Sequence, residues 1–300
     1  MTIRSRFFLG ALLITIIIVG CLVWVLTQNE SSSGTVYVGW RSSVYGHQQD
    51  KPPSYWVDVA EEMSSRFDDS QPSGIWIVGV LHGSKVCYLQ FPNRDGAYHS
   101  NIEFASDDQN EEYLDAFDNA GVKVWLQVEP GNADVDALID LVLNEYKHHS
   151  CVIGFGVDVE WLESDPYING RRVTNKEATE WLERVKSHNS SYTLFLKHWR
   201  PDRMPSIYPA DIVFINDGCD ASNMDEMVDW FKSWGNTFSD AKVGFQVGYD
   251  LDTNGDDQTD KDWWSTLEDP PKEIGDVLID SISNCEYIYW VDFTILDVFP

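Results

Sequence analysis

From Thr35 to Phe293 the chain alternates short apolar stretches of strand character with amphipathic helical ones, and few folds accept that rhythm. The strand-like runs are Thr35–Trp40, Gly74–Leu81, Lys123–Val128, Val152–Glu160, Tyr192–His198, Asp211–Asn216, Ala241–Tyr249 and Tyr287–Phe293. Helical spacing of apolar residues marks Ser54–Phe67, Glu111–Asn119, Asp134–Tyr146, Asn175–Ser187, Asn223–Trp234 and part of Pro271–Ile282. Gly121 is a natural stop for the second of these, and Asn132 or Asp134 a cap for the third. No clear helix separates the fifth and sixth strands, and Val86–Phe91 reads as part of an extra hairpin. Strands that alternate with helices pair in parallel and are covered on the outside by the crossovers. Eight units in about 265 residues fit an α/β fold of the (β/α)8 type, the TIM barrel. A doubly wound open sheet is the alternative, but it usually carries a glycine-rich phosphate loop, which this sequence lacks.

Three segments follow from composition. Residues 1–26 hold Arg4 and Arg6 and then the apolar run Phe7–Leu26, about twenty residues and long enough to cross some 30 Å of hydrocarbon. Arginines before the run and acids after it predict a cytoplasmic N-terminus and an extracytoplasmic remainder. A cleaved signal peptide competes with that anchor. Ile18-Val19-Gly20-Cys21 also resembles a lipoprotein cleavage box, although the residues after Cys21 stay apolar. Residues 27–34 are a polar linker, and residues 35–300 are the barrel domain. Beyond the linker stand Cys87, Cys151, Cys219 and Cys285, an even number that permits one or two disulfides in an exported domain. Cys151 at a strand start also reads as a small buried hydrophobe. None of the four sits in a C-x-x-C or Cys/His ligand spacing, which argues against zinc. The net charge of −28 excludes nucleic acid and anionic membrane surfaces as electrostatic partners.

In such a barrel the chemistry lies where strands end. The clearest end belongs to Val152–Trp161 (VIGFGVDVEW), where strand alternation puts Gly154, Gly156, Asp158 and Glu160 on one face. Phe155, Val157, Val159 and Trp161 take the other. Other strand ends supply Gln127 and Glu129, Lys197 and His198, Asn216 and Asp217, Gln246 and Tyr249, and Trp290 and Asp292. Acids, amides and aromatics converging on one rim suit a sugar-binding cleft, since rings stack on sugars and polar groups take their hydroxyls. With 49 acidic residues in the chain, several also reach the rim by chance. Crowded carboxylates raise the proton affinity of at least one. Glu160 is therefore a candidate general acid with Asp158 its partner. The bland reading makes either one an ion-pair partner of Lys197. Lys197 as a Schiff-base nucleophile has no specific mark in its favour.

Val152–Trp161 resembles the fourth strand of glycoside hydrolase family 18, the chitinase-like barrels, whose motif is D-G-x-D-x-D-x-E followed by an aromatic residue. The resemblance implies that Glu160 is the catalytic acid and Asp158 the aspartate that assists the substrate's acetamido group. Ile153 and Gly156 stand where the motif has its first two aspartates, and Phe214-Ile215-Asn216-Asp217 keeps only the last residue of the family's M-x-Y-D. The loss of that tyrosine puts substrate assistance in question. The third and seventh strands also resemble the family's, and Trp290 matches the tryptophan that floors the sugar subsite. The implied partner is an amino-sugar polysaccharide or cell-envelope glycan, with Gln127, Glu129, Asn216, Asp217, Gln246, Tyr249, Trp290 and Asp292 lining the cleft. The tetrapeptide Asp158–Trp161 is also similar to the D-x-E strand of family 25, the barrel lysozymes, whose first-strand aspartate has no counterpart here. A non-catalytic glycan-binding barrel and a structural surface protein are the rivals from other classes.

Asp250, Asp252, Asn254 and Asp256, with Gly255 at the turn, match the first half of a calcium loop. The twelfth position is Lys261, so Asp260 would have to help hold Ca2+; a plain acidic turn is the simpler reading. No other cofactor is implied.

Overall fold

The computed structural model describes residues 35–94, 96–218, 221–249 and 263–300. The chain divides into Met1–Thr35 and Val36–Pro300, and the second unit is the body described below. The apolar run Phe7–Leu26, the linker, Cys219 and the acidic loop with Asp250, Asp252, Asn254, Asp256 and Asp260 lie outside the described residues. No helix among the described residues is long and apolar enough to cross a membrane.

Among the described residues, ten strands form one sheet. Eight of them, β1 (Val36–Ser42), β2 (Ser70–His82), β5 (Lys123–Val128), β6 (Val152–Asp158), β7 (Thr193–Lys197), β8 (Ile212–Asn216), β9 (Lys242–Val247) and β10 (Cys285–Val291), pair in parallel from neighbour to neighbour. Pairing of β10 with β1 closes the ring, so the eight expected strands make a closed (β/α)8 barrel rather than an open sheet. The extra element is larger than a hairpin. β3 (Val86–Leu89) returns antiparallel along the end of β2, and β4 (Ile102–Phe104) adds to it in parallel.

The helices fall where helical periodicity put them: α1 (Pro53–Ser64), α2 (Glu111–Ala120), α3 (Val135–Tyr146), α4 (Asn175–His188), α5 (Met224–Thr237) and α6 (Pro270–Ser281), with the short α7 (Ile295–Val298) last. Gly121 closes α2 in the left-handed conformation, at φ 73°, and the Asp134 side chain caps α3 by accepting from Asp136 N. Between β7 and β8 only a single 3-10 turn, Pro201–Arg203, is found.

Strand alternation separates two cores. Phe155, Val157, Phe214, Val243, Phe245 and Trp290 point outward and pack with the helices. Ile75, Trp125, Phe195, Val213, Ile215, Tyr287 and Tyr289 fill the barrel. Trp125 meets Phe195 and Tyr287 edge-on at 5.2 and 5.7 Å, so the lower barrel is packed with rings. Glycines make that possible. A Cβ on Gly156 would lie 2.0 Å from Phe195 Cζ, and one on Gly154 would lie 2.8 Å from Trp125 Cζ3.

Two expectations are corrected here. The fourth barrel strand stops at Asp158, and Val159–Trp161 turn into a 3-10 helix, so Glu160 is not a strand residue. Asp158 causes the break, since its side chain accepts from Glu160 N at 3.3 Å and competes with continued extension. Cys87, Cys151 and Cys285 carry free thiols instead of disulfides, the first two fully buried as small apolar side chains.

Candidate active site

Inward-facing positions at the C-terminal ends of the barrel strands are polar, immediately above the aromatic packing. Asp158 and Lys197 are direct cross-strand partners on β6 and β7. Lys197 Nζ lies 3.0 Å from Asp158 Oδ2, 2.6 Å from Asp217 Oδ2 and 3.6 Å from Glu160 Oε2. One buried ammonium thus holds three carboxyl groups from two strand ends and a 3-10 turn. The ion pairing foreseen for Lys197 is present, and it includes Asp217 as well. Burial lowers a lysine's proton affinity, but the charges of Asp158, Asp217 and Glu160 outweigh it and hold Lys197 protonated, unlike a Schiff-base lysine.

The carboxyls share the field unequally. Burial and the neighbouring charge of Asp217 push Glu160 well above the ordinary glutamate range, against the pull of Lys197. Burial also disfavours an ionised Asp217, yet the Lys197 charge and a hydrogen bond from Glu160 hold its affinity below the ordinary aspartate value. Glu160 therefore holds its proton more tightly than an ordinary glutamate, beside an aspartate that holds its own less tightly. The other face of the turn is fixed by His198, fully buried, whose Nε2 bonds Asn169 O at 3.0 Å and whose Nδ1 accepts from Arg200 N at 3.0 Å. His198 Nδ1 lies 4.0 Å from Glu160 Oε1.

A second group continues around the rim. Gln127 Nε2 reaches Asp158 Oδ2 at 3.4 Å. Glu129, buried at the end of β5, accepts from Leu81 N and from the Tyr45 hydroxyl, both at 2.8 Å. Burial, followed by the charge of Asp158, raises its proton affinity. Arg41, buried at the end of β1, interacts electrostatically with Tyr249, Asp292, Glu129 and Asp158. Asp292 accepts from Ser43 N at 2.6 Å and His47 N at 3.2 Å, which anchors the loop after β1. Tyr249 donates its hydroxyl to Gln246 Oε1 at 2.9 Å.

Two expected cleft residues stand elsewhere. Trp290 is on the outer face of β10, fully buried edge-on against Trp264 at 5.2 Å, with Nε1 donating to Thr294 Oγ1. It is shell packing, because odd-numbered β10 residues take the inner positions. Asn216 is also on the helix side of its strand, accepting from Gly218 N at 2.7 Å. There it borders a cavity of about 470 Å³ with Trp199, Pro201, Trp230 and Trp234. Exposed aromatics in segments that follow barrel strands include Tyr45, Trp161, Trp199 and Phe293 instead. Tyr45 was invisible to sequence reading because it belongs to no motif and comes from a loop.

Buried polar atoms without a hydrogen-bond partner among the described residues gather on the same rim: Arg41 Nε and Nη1, Gln127 Oε1, Asp217 Oδ1, Gln246 Nε2 and Asp292 Oδ1. Such atoms are costly unless water or a ligand meets them.

Fold and rim define a (β/α)8 barrel with a buried, proton-sharing carboxyl cluster at its C-terminal end. No protein-family model matches the chain, and no curated protein sequence does either. Among solved structures it is similar to a beta-glucuronidase from an uncultured Clostridium sp. (10% identity, TM-score 0.44, covering 86% of this chain and 43% of that one). It is also similar to an endo-beta1,6-glucanase (11% identity, TM-score 0.45, 86% and 66%). A third is an alpha-L-fucosidase from Bacteroides thetaiotaomicron (9% identity, TM-score 0.39, 86% and 67%). The chain spans less than half the length of the first and about two thirds of the other two.

Proposed function

We propose that the protein is a glycoside hydrolase acting on an amino-sugar polysaccharide, with Glu160 as general acid. The observation that carries this reading is the placing of the Glu160 carboxyl at the C-terminal end of the barrel, 3.6 Å from Lys197 Nζ in a cluster with Asp158 and Asp217, where burial and the Asp217 charge raise its proton affinity. A general acid must keep its proton at working pH and yield it to a leaving oxygen, which a raised proton affinity allows. Asp217 accepts a hydrogen bond from the Glu160 carboxyl and its charge helps to raise that group's proton affinity, while Lys197 limits the charge of the cluster. Asp158 fixes the turn that presents Glu160. The unpartnered donors and acceptors of Arg41, Gln127, Gln246 and Asp292 suit a ligand rich in hydroxyl and amide groups. Tyr45, Trp161, Trp199 and Phe293 supply stacking faces in the place foreseen for Trp290. The preference for an amino sugar, and the likeness to family 18, rest on the VIGFGVDVEW motif alone. An N-terminal anchor through Phe7–Leu26, with the barrel on the extracytoplasmic side, belongs to the same proposal and rests on the arginine asymmetry of the sequence.

One observation favours a second reading. Lys197 occupies the centre of the three carboxyls, and a cluster neutralised from within can be purely structural, leaving a glycan-binding barrel without turnover. Hydrolysis of chitin, peptidoglycan and acidic glycans by the full chain separates the two. The hydrolase reading expects turnover that drops about 10²–10⁴-fold in Glu160→Gln. Binding without turnover by the wild type establishes the second reading, and neither binding nor turnover removes both.

A further inference from the structure

On the outside of the barrel, α2 faces the turn that leads into β6. Glu111 and Asp118 are seven residues apart, so they share one face of α2 about 10.5 Å apart along its axis. The His149 ring lies along that face. Its Nδ1 is 2.8 Å from Asp118 Oδ2, and its Nε2 is 3.4 Å from Glu111 Oε2. His148 stacks beside it with ring centroids 4.1 Å apart, and brings its own Nε2 to 3.1 Å from Glu111 Oε1.

The His149 side chain is only 2% exposed, and the Glu111 carboxylate 3.4 Å away is what its Nε2 faces. With Nδ1–H donated to Asp118, Nε2 presents a lone pair to a carboxylate oxygen. Two acceptors that close repel each other unless a cation lies between them. Glu111, His148 and His149 each offer one ligand atom, all within 4.8 Å of one another. Tetrahedral bonds of 2.0–2.1 Å place ligand atoms roughly 3.3 Å apart, and the two histidine nitrogens lie 3.1 and 3.4 Å from the Glu111 carboxylate, one at each of its oxygens.

We propose that His148 Nε2, His149 Nε2 and the Glu111 carboxylate form a binding site for a divalent transition metal ion of the zinc type. Two imidazoles and one carboxylate favour such an ion over calcium or magnesium, which prefer all-oxygen sites. Asp118 is the positioning residue. It fixes the His149 tautomer, as carboxylates do behind metal-bound histidines, and is itself held by Cys151 N at 2.6 Å and Ser150 Oγ at 2.9 Å. Glu111 and His148 are 46% and 56% exposed, which leaves the fourth position to water. The Cys151 thiol is buried and donates to Leu114 O at 3.6 Å instead. The same two histidines border a cavity with Tyr37, Lys123, Thr193 and Tyr287, residues at the N-terminal ends of barrel strands. Barrels keep their stabilising contacts at that end, so the ion acts as a clip between α2 and β6. The cysteines offer zinc no ligand spacing, whereas this site takes its ligands from histidine and glutamate.

Calorimetric titration of the full chain with Zn2+, in excess Ca2+ and Mg2+ to occupy oxygen-only sites, tests the proposal. Wild type is expected to bind one Zn2+ at this site, to show the visible spectrum of tetrahedral cobalt with Co2+, and to melt at a higher temperature with Zn2+ than without. Asp118→Asn is expected to weaken binding about 10–100-fold. His148→Ala and Glu111→Gln are expected to weaken it at least as much, and both side chains are exposed enough for these variants to fold. Absence of a zinc-binding event in the wild type overturns the proposal and leaves a proton as the cation between His149 and Glu111. Undiminished binding in His148→Ala and Glu111→Gln overturns it too, by placing the ion elsewhere.

Discussion

Glu160 and Asp217 carry opposite consequences for pH, and Lys197 holds the two together. Replacing Lys197 by Met leaves Asp158 and Asp217 buried without their cation, and breaking a buried pair in this way costs about 3–5 kcal/mol. Urea unfolding at pH 7 should show that loss, and part of it should return at pH 5 as the orphaned carboxylates take up protons. Glu160 has a folded proton affinity above its unfolded value, so the native state holds more protons than the unfolded one between the two. Its contribution is therefore fully present below the ordinary glutamate value and is lost as pH rises toward the raised folded value. Asp217 runs the other way: its contribution is present above the ordinary aspartate value and fades as pH falls through the lowered one. Glu160→Gln should remove the alkaline decline and leave the acid one, which melting temperatures across a pH series would reveal. If Glu160 is the general acid, turnover should fall over the same alkaline range.

At β6 the glycines explain both the departure from the family motif and the packing. Gly156 stands where the motif has an aspartate, and Phe195 occupies the space that such a side chain would need. Gly156→Ala should destabilise by about 1–3 kcal/mol through overpacking. Combining it with Phe195→Leu should cost less than the two changes added together, since the smaller residue vacates the contested volume. Denaturant midpoints of the two single variants and the pair check this. Additive losses would mean that the ring is not what excludes a side chain at that position. The existence and order of the strands and helices were readable because periods of 2 and 3.6 are local properties of the sequence. The end of β6 was not, because the 3-10 turn at Val159–Trp161 depends on one Asp158 hydrogen bond that no periodicity encodes.

Across the molecule, a net charge of −28 sets the response to salt. Like charges spread over one folded body repel more than in an expanded chain, so screening favours the native state. Raising the salt toward 1 M, where the Debye length falls to about 3 Å, should raise the melting temperature. A fall with NaCl would show instead that ion pairs such as Arg171–Glu177 dominate the surface.

Alternation along each strand told which of its residues share a face, and Gln127 could be grouped with Glu129, and Asp158 with Glu160, before any coordinates. The same parity grouped Trp290 with Asp292 but could not say which side of the wall Trp290 faces, because inner and outer positions are equally apolar in a barrel packed on both sides. That choice belongs to ring closure, which places every strand relative to all the others. Closure also brings Lys197 to Asp158 across 39 residues of chain, as α2 packing brings Glu111 to His148 across 37. Local patterns along the chain thus specify the barrel and name the candidate acid. Which carboxyl keeps a proton depends on the distances and burial that appear only once remote segments share a volume.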